Sequence, residues 1–109
     1  MADGKFSVGQ IGANFIVKVE EDTLSGHVGY DVTQAEVSTL EIIFTTPDRP
    51  SREKQVTATV RGGTTDEIEF ATTDATHLDV DGTWKYRALI TTTDGDTFKT
   101  LNASEQVIV

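Results

Sequence analysis

At 109 residues the chain is the size of one domain, and long enough to bury a core without covalent staples. It contains no cysteine, which removes disulfides, thiolate metal centres and cysteine nucleophiles. With 18 acids against 9 bases the net charge is −9, so nucleic acid and anionic membrane surfaces are disfavoured as partners.

The elements expected along the chain are short and extended. Lys5 to Gly12 reads as an arm or an edge strand. Phe15, Val17 and Val19 form a first alternating run, with Ile16, Lys18 and Glu20 on the opposite face. Leu24 to Tyr30 reads as a strand or an ordered loop. From Val37 to Thr46, Leu40, Ile42 and Phe44 share one face, and Val37 and Ile43 lie on the other. Pro47-Asp48-Arg49-Pro50 ends this run, because proline has no N–H to give a ladder. Val56, Ala58 and Val60 mark a third run, closed by Gly62-Gly63, and Ile68 with Phe70 a short fourth. Asp74 to Asp79 is long enough for one helical turn capped by Asp74. Trp84, Tyr86, Ala88 and Ile90 alternate with Lys85, Arg87 and Thr91 in a fifth run. Asp94-Gly95 is a hairpin signal leading to Thr97–Leu101, and a last run puts Val107 and Val109 on one face.

No stretch carries apolar residues at helical spacing, and threonine, stiff at its first torsion, suits a pleated surface. Turn signals about a dozen residues apart predict an all-β fold: one antiparallel sandwich of about seven strands over residues 1–109. Its expected core anchors are Trp84, Tyr86, Phe44 and Phe70. No apolar run approaches the roughly 20 residues of a membrane-spanning helix. The opening Met1-Ala2-Asp3-Gly4-Lys5 lacks the pattern of a secretion signal, so a soluble product made in a cytoplasm is expected.

Chemistry is sparse. Asp79 and Asp81 beside Gly82, together with Asp94 and Asp96, offer oxygens of the kind calcium takes. The pattern breaks off, with no further alternate acid and no bidentate glutamate, and aspartate with glycine also builds tight turns. The expectation is therefore no metal and no cofactor. His27 and His77 are the only histidines. His77-Leu78-Asp79 would orient an imidazole, but no nucleophile elbow accompanies it, so no catalytic residue is assigned. Arg61-Gly62-Gly63-Thr64-Thr65 lacks the ending of a phosphate loop and reads as a turn. Trp84 with Tyr86 would make a sugar-stacking platform if exposed. Their alternation with Lys85 and Arg87 puts them in the core instead.

In immunoglobulin-like sandwiches a late core strand follows an acidic corner and carries an aromatic two residues after a small one. Trp84 takes that place here, and Tyr86 stands where disulfide-bearing members have cysteine. The wider order of motifs resembles small phage virion proteins with an immunoglobulin-like sandwich, akin to the N-terminal domain of phage baseplate upper proteins. The residues that carry the resemblance begin with Phe6-Ser7-Val8-Gly9, Gly12, Phe15 to Val19, Glu21-Asp22, and Asp31-Val32-Thr33 with Ala35. They continue with Leu40 to Phe44, Pro47-Asp48, Thr65-Asp66, Ile68, Phe70, Leu78-Asp79, Gly82 and Trp84. Asp94-Gly95 and Glu105 to Val109 close the set. Arg49-Pro50-Ser51-Arg52 departs from it, standing where a plain Asp-Gly turn is expected.

The resemblance implies a non-enzymatic structural protein of a tail, baseplate, fibre or capsid, located in the virion. It would work by assembly with other virion structural proteins, and with further copies of itself in a homo-oligomer. The competing reading is a carbohydrate-binding or adhesion module. A hydrolase is a third and has less behind it.

Overall fold

The computed structural model describes the backbone of residues 6–23, 26–95, 97–99 and 104–109, and their side chains except those of 21–23, 26–28, 98 and 99. The described residues form ten strands and no helix. Two antiparallel sheets pack face to face as a β-sandwich. The smaller holds β1 (Asn14–Lys18), β7 (Glu67–Ala71) and β6 (Thr59–Val60), in that order. In the larger, β10 (Ser104–Ile108), β8 (Gly82–Thr92), β4 (Val37–Thr45) and β5 (Glu53–Thr57) are neighbours. There β9 (Thr97–Lys99) pairs with the far half of β8. These eight strands cross repeatedly between layers, as in an immunoglobulin-like sandwich. A separate ribbon, β2 (Glu20–Thr23) with β3 (Gly26–Gly29), extends beyond β1.

Period-two alternation builds the core. Along β8, Trp84, Tyr86, Ala88 and Ile90 are buried, and Thr83 and Lys85 are exposed. Beside them in the same sheet are Ile42 and Phe44 from β4, and the other sheet contributes Phe15 and Val17 from β1 and Ile68 from β7. Each such side chain taken from water stabilises the fold by about 1.5–3 kcal/mol. Phe44 is the hub of the aromatic contacts, edge-on to His77 at 4.8 Å, Phe15 at 4.9 Å, Phe70 at 6.0 Å and Trp84 at 6.3 Å. Phe15 is edge-on to Tyr86 at 5.2 Å and Phe6 at 5.3 Å. Such T-shaped pairs set the ring's positive edge on a negative face. Of the expected anchors, Trp84, Phe44 and Tyr86 are buried, and Phe70 is half-buried against the same cluster.

Several local expectations are corrected. The run Val56-Ala58-Val60 is not one strand. β5 pairs with β4 up to Thr57, Ala58 donates its N–H to Leu40, and β6 continues in the other sheet against β7. Residues Asp74 to Asp79 form no helical turn. Asp74 instead accepts from the Thr76 N–H and hydroxyl and its carbonyl from the His77 N–H, a local turn. In the Leu24–Tyr30 segment, Gly26–Gly29 is strand, and residues 24 and 25 lie outside the described set. Of Thr97–Leu101, Thr97–Lys99 is strand and residues 100–101 also lie outside it. Val107 and Val109 do share a face, but it is the outer one, because Ile108 between them takes the core.

The hairpin Thr46–Arg52 closes without the expected Asp-Gly turn. Thr46 and Arg52 bond through backbone N–H to carbonyl at 2.9 Å, and the Arg52 N–H also donates to the Thr46 hydroxyl at 2.8 Å. Thr46, nearly fully buried, thereby satisfies its side chain through the backbone. The Arg49–Pro50 peptide is cis.

Candidate functional site

Two surface features are built by long-range contacts. One is a charged cluster between the β4–β5 hairpin and the β7–β8 connection. The other is an apolar corner where the N-terminal arm meets β10.

In the charged cluster, Arg52 donates to both oxygens of Asp79, at 2.9 and 3.1 Å, and through Nε to Asp48 at 3.1 Å. Lys54 is on β5 directly opposite Phe44, so its side chain points inward although β5 is an edge strand. Its ammonium is 5.4 Å from the centroid of the Trp84 ring. It donates to the His77 carbonyl at 2.6 Å and meets Asp79 at 3.3 Å. An inward charge on an edge strand discourages further strand pairing there. The Arg52 hydrogen bonds come first in holding the Asp79 carboxyl down, to about 2. Asp48 is also lowered, first by the Thr46 hydroxyl and then by Arg52. These groups are a third or more exposed except Lys54, so each ion pair contributes only about 0.2–1 kcal/mol.

His77 is enclosed by rings: Phe44 at 4.8 Å, Phe70 at 5.3 Å and Trp84 at 6.1 Å. Its Nε2 is buried with no protein partner. Asp79 is engaged by Arg52 and Lys54, so the His77-Leu78-Asp79 stretch does not orient an imidazole for catalysis. For His27 the structure gives only the backbone, opposite Asp22. Burial, followed by the Lys54 charge, pushes the His77 pKa below its ordinary 6.5. The unfolded chain therefore binds more protons in the window beneath pH 6.5. Stability is complete above that value and falls as pH drops toward the lowered pKa. Melting temperature measured by circular dichroism should fall between pH 7 and 5, and His77→Phe should flatten that slope whatever His27 contributes. A variant whose slope parallels the parent would show that His77 is not the group responsible. A second loss is expected below about pH 4, as Asp79 protonates through its lowered pKa.

The aspartates named as calcium candidates do not converge. Asp79 is occupied by two cations, and Asp81 is exposed beside it. Asp94 is at the other end of the 11-residue β8, on the order of 30 Å away, where it accepts from the Thr92 hydroxyl. Asp96 lies outside the described residues. No group of three acids or histidines is close enough to hold a metal ion among the described residues. The Arg61–Thr65 stretch is the β6–β7 turn. Gly63 takes φ +82°, Thr64 donates to the Arg61 carbonyl, and Arg61 pairs with Glu67 at 2.9 Å. Trp84 has no accessible surface and its indole N–H donates to the Val80 carbonyl at 3.0 Å, so no stacking platform exists at Trp84 and Tyr86.

The second feature involves the Lys5 to Gly12 segment, which reads in the sequence as an arm or edge strand, although its partner strand cannot be read there. The arm runs parallel to β10: Phe6 donates to Val107 at 3.2 Å, Val109 to Phe6 at 2.7 Å and Val8 to Val109 at 2.9 Å. Beyond it the arm is tied to the β7–β8 connection. Gly9 donates to Leu78 at 2.8 Å, and the buried Thr72 hydroxyl donates to Gln10 at 2.8 Å. Among the described residues the exposed large hydrophobics are Val8, Ile11, Val107 and Val109, all on the arm or its partner strand. The signal available in sequence was the alternation at Val107-Ile108-Val109, which leaves open which face is covered. No protein-family model, no curated protein and no solved structure matches the chain.

Proposed function

We propose that the chain is a non-enzymatic structural module of a phage particle, belonging to a tail, baseplate, fibre or capsid and acting by docking on neighbouring virion proteins. The observation that carries this reading is the apolar corner. In a domain with net charge −9, the exposed large hydrophobics among the described residues are all on the arm or at the end of the strand it pairs with. Concentrated apolar surface on an otherwise charged domain marks contact with another protein. The resemblance of its motif order to phage virion sandwiches is what suggests the particle. A rigid sandwich presents such an edge at fixed geometry, and virion assemblies repeat it by symmetry. The alternative, a carbohydrate-binding or adhesion module, has lost its aromatic platform, because Trp84 and Tyr86 are buried.

Particles purified from the genome that encodes the chain, analysed by quantitative mass spectrometry, should contain it at a fixed copy number relative to the other structural proteins. Its absence from intact particles would refute the proposal.

A further inference from the structure

The arm has two separate attachments. Phe6 and Val8 donate to Val107 and Val109, whereas Gly9, one residue on, donates to the Leu78 carbonyl at 2.8 Å in the β7–β8 connection. Gly9 lies close along that connection: a side chain begun there would meet the Ala75 carbonyl at 3.8 Å. Residues 73–76 of the connection are exposed. What pins it points inward: His77, set among the rings of Phe44, Phe70 and Trp84, and the fully buried Leu78 beside it. We infer that His77 is a pH-operated latch on the arm: its protonation loosens residues 74–79 and releases Gly9 from Leu78, while Phe6 and Val8 stay seated.

The surroundings of the ring are built for the neutral form. Nε2 is buried with no protein partner, and protonation makes both ring nitrogens donors. From β4, β7 and β8 the ring meets Phe44, Phe70 and Trp84. From β5 comes the Lys54 cation, whose ammonium donates to the carbonyl of His77 itself at 2.6 Å and to that of Thr76 at 3.3 Å. The connection supplies Asp74 and Asp79, and both carboxylates are engaged, Asp74 by Thr76 and Asp79 by Arg52 and Lys54. Burial and Lys54 outweigh the two aspartates and hold the His77 pKa under 6.5. An opened form with the ring in water binds the proton more tightly, so acid favours it. A charged imidazole and the Lys54 ammonium repel, and the bonds by which Lys54 fixes Thr76 and His77 loosen with them. Leu78 is next along the chain, and its carbonyl is what holds Gly9. Opening one short connection costs less than unfolding the sandwich, so the local event comes first.

The latch stands apart from the assembly reading, and its test needs no partner. The measurement is NMR hydrogen exchange of single amides between pH 7 and 5, expressed as protection factors so that the intrinsic pH dependence of exchange drops out. Val8 and Gly9 are adjacent amides on different attachments, which makes Val8 an internal control. Gly9 protection should fall as pH drops below 6.5, by at most about tenfold per pH unit, the limit for one proton, and Val8 protection should fall less. His77→Phe keeps a ring among the three aromatics and removes the titration, so Gly9 protection there should stay level whatever His27 does. An equal fall at Val8 and Gly9, a Gly9 that does not respond, or an unchanged Gly9 slope in His77→Phe would each overturn the latch. If that variant fails to fold, the parent decides. Gly9 protection should level off below the pKa read from the His77 ring proton shifts, and a fall that ignores that titration overturns the inference.

Discussion

Replacing Trp84 with alanine is expected to cost about 3–5 kcal/mol, the range for truncating a buried large aromatic. The side chain has no accessible surface and is 6.3 Å from Phe44 and 6.1 Å from His77, centroid to centroid. Alanine leaves a void that the two sheets cannot close, because both are held in register by their ladders. Two further losses accompany the void. The Val80 carbonyl loses the indole N–H that it accepts at 3.0 Å, and the Lys54 ammonium loses the ring beneath it. A domain of this kind has only about 5–15 kcal/mol of stability in total. At roughly 4 °C per kcal/mol, the melting temperature should drop by about 12–20 °C. Circular dichroism under urea is the right probe, since Trp84 is the only tryptophan and the variant loses the fluorescence signal. In the parent protein that fluorescence should be blue-shifted and resistant to iodide. A measured loss below about 1 kcal/mol would put Trp84 outside the core.

Trp84 also shows what a single sequence discloses. Alternation over Trp84–Ile90 and over Leu40–Phe44 identified the inner faces of β8 and β4 because face assignment within a strand is local: period two follows from the pleat. Asp94-Gly95 was legible for the same reason. The turn needs a positive φ, Gly95 supplies it at +91°, and its N–H returns to the Thr92 carbonyl. What stayed hidden depends on partners far along the chain. The pattern Val56-Ala58-Val60 continues unbroken through the point where the strand changes sheets, since nothing in the alternation records which neighbour a strand pairs with. Lys54 reads as a surface residue until its register opposite Phe44 turns it inward. Arg52 and Asp79 are 27 residues apart, and the arm pairs with the last strand across almost the whole chain. The candidate site is made of such pairings, and so the core could be read from the sequence while the seat of the arm on β10 could not.

Gly82→Ala is expected to be the most damaging of the glycine substitutions, at about 2–6 kcal/mol. Two costs add. Gly82 opens β8 at φ +125°, where an L side chain is strained by about 1–3 kcal/mol. A Cβ there would also stand 2.7 Å from Pro47 Cγ and 3.0 Å from Pro47 Cβ. The obstacle is a pyrrolidine ring that cannot swing aside as a flexible side chain would, so the backbone must move, at about 1–3 kcal/mol more. Gly95→Ala separates the two costs. Its φ of +91° is also positive, yet no atom lies within 4 Å of the added methyl, so it should show the strain alone. Pro47→Ala placed in the Gly82→Ala background should recover part of the loss, and the same change in the parent should recover nothing. Equal denaturation midpoints for Gly82→Ala and Gly95→Ala would mean that the Pro47 contact yields without cost. The position matters beyond stability. Gly82 pairs with Ile108 and Thr83 with Val107, so a displaced start of β8 moves the strand on which the arm is seated. Gly82→Ala should therefore also speed amide hydrogen exchange at Phe6 and Val8, which bond to the end of the chain, whereas Gly95→Ala, at the far end of β8, should leave them protected.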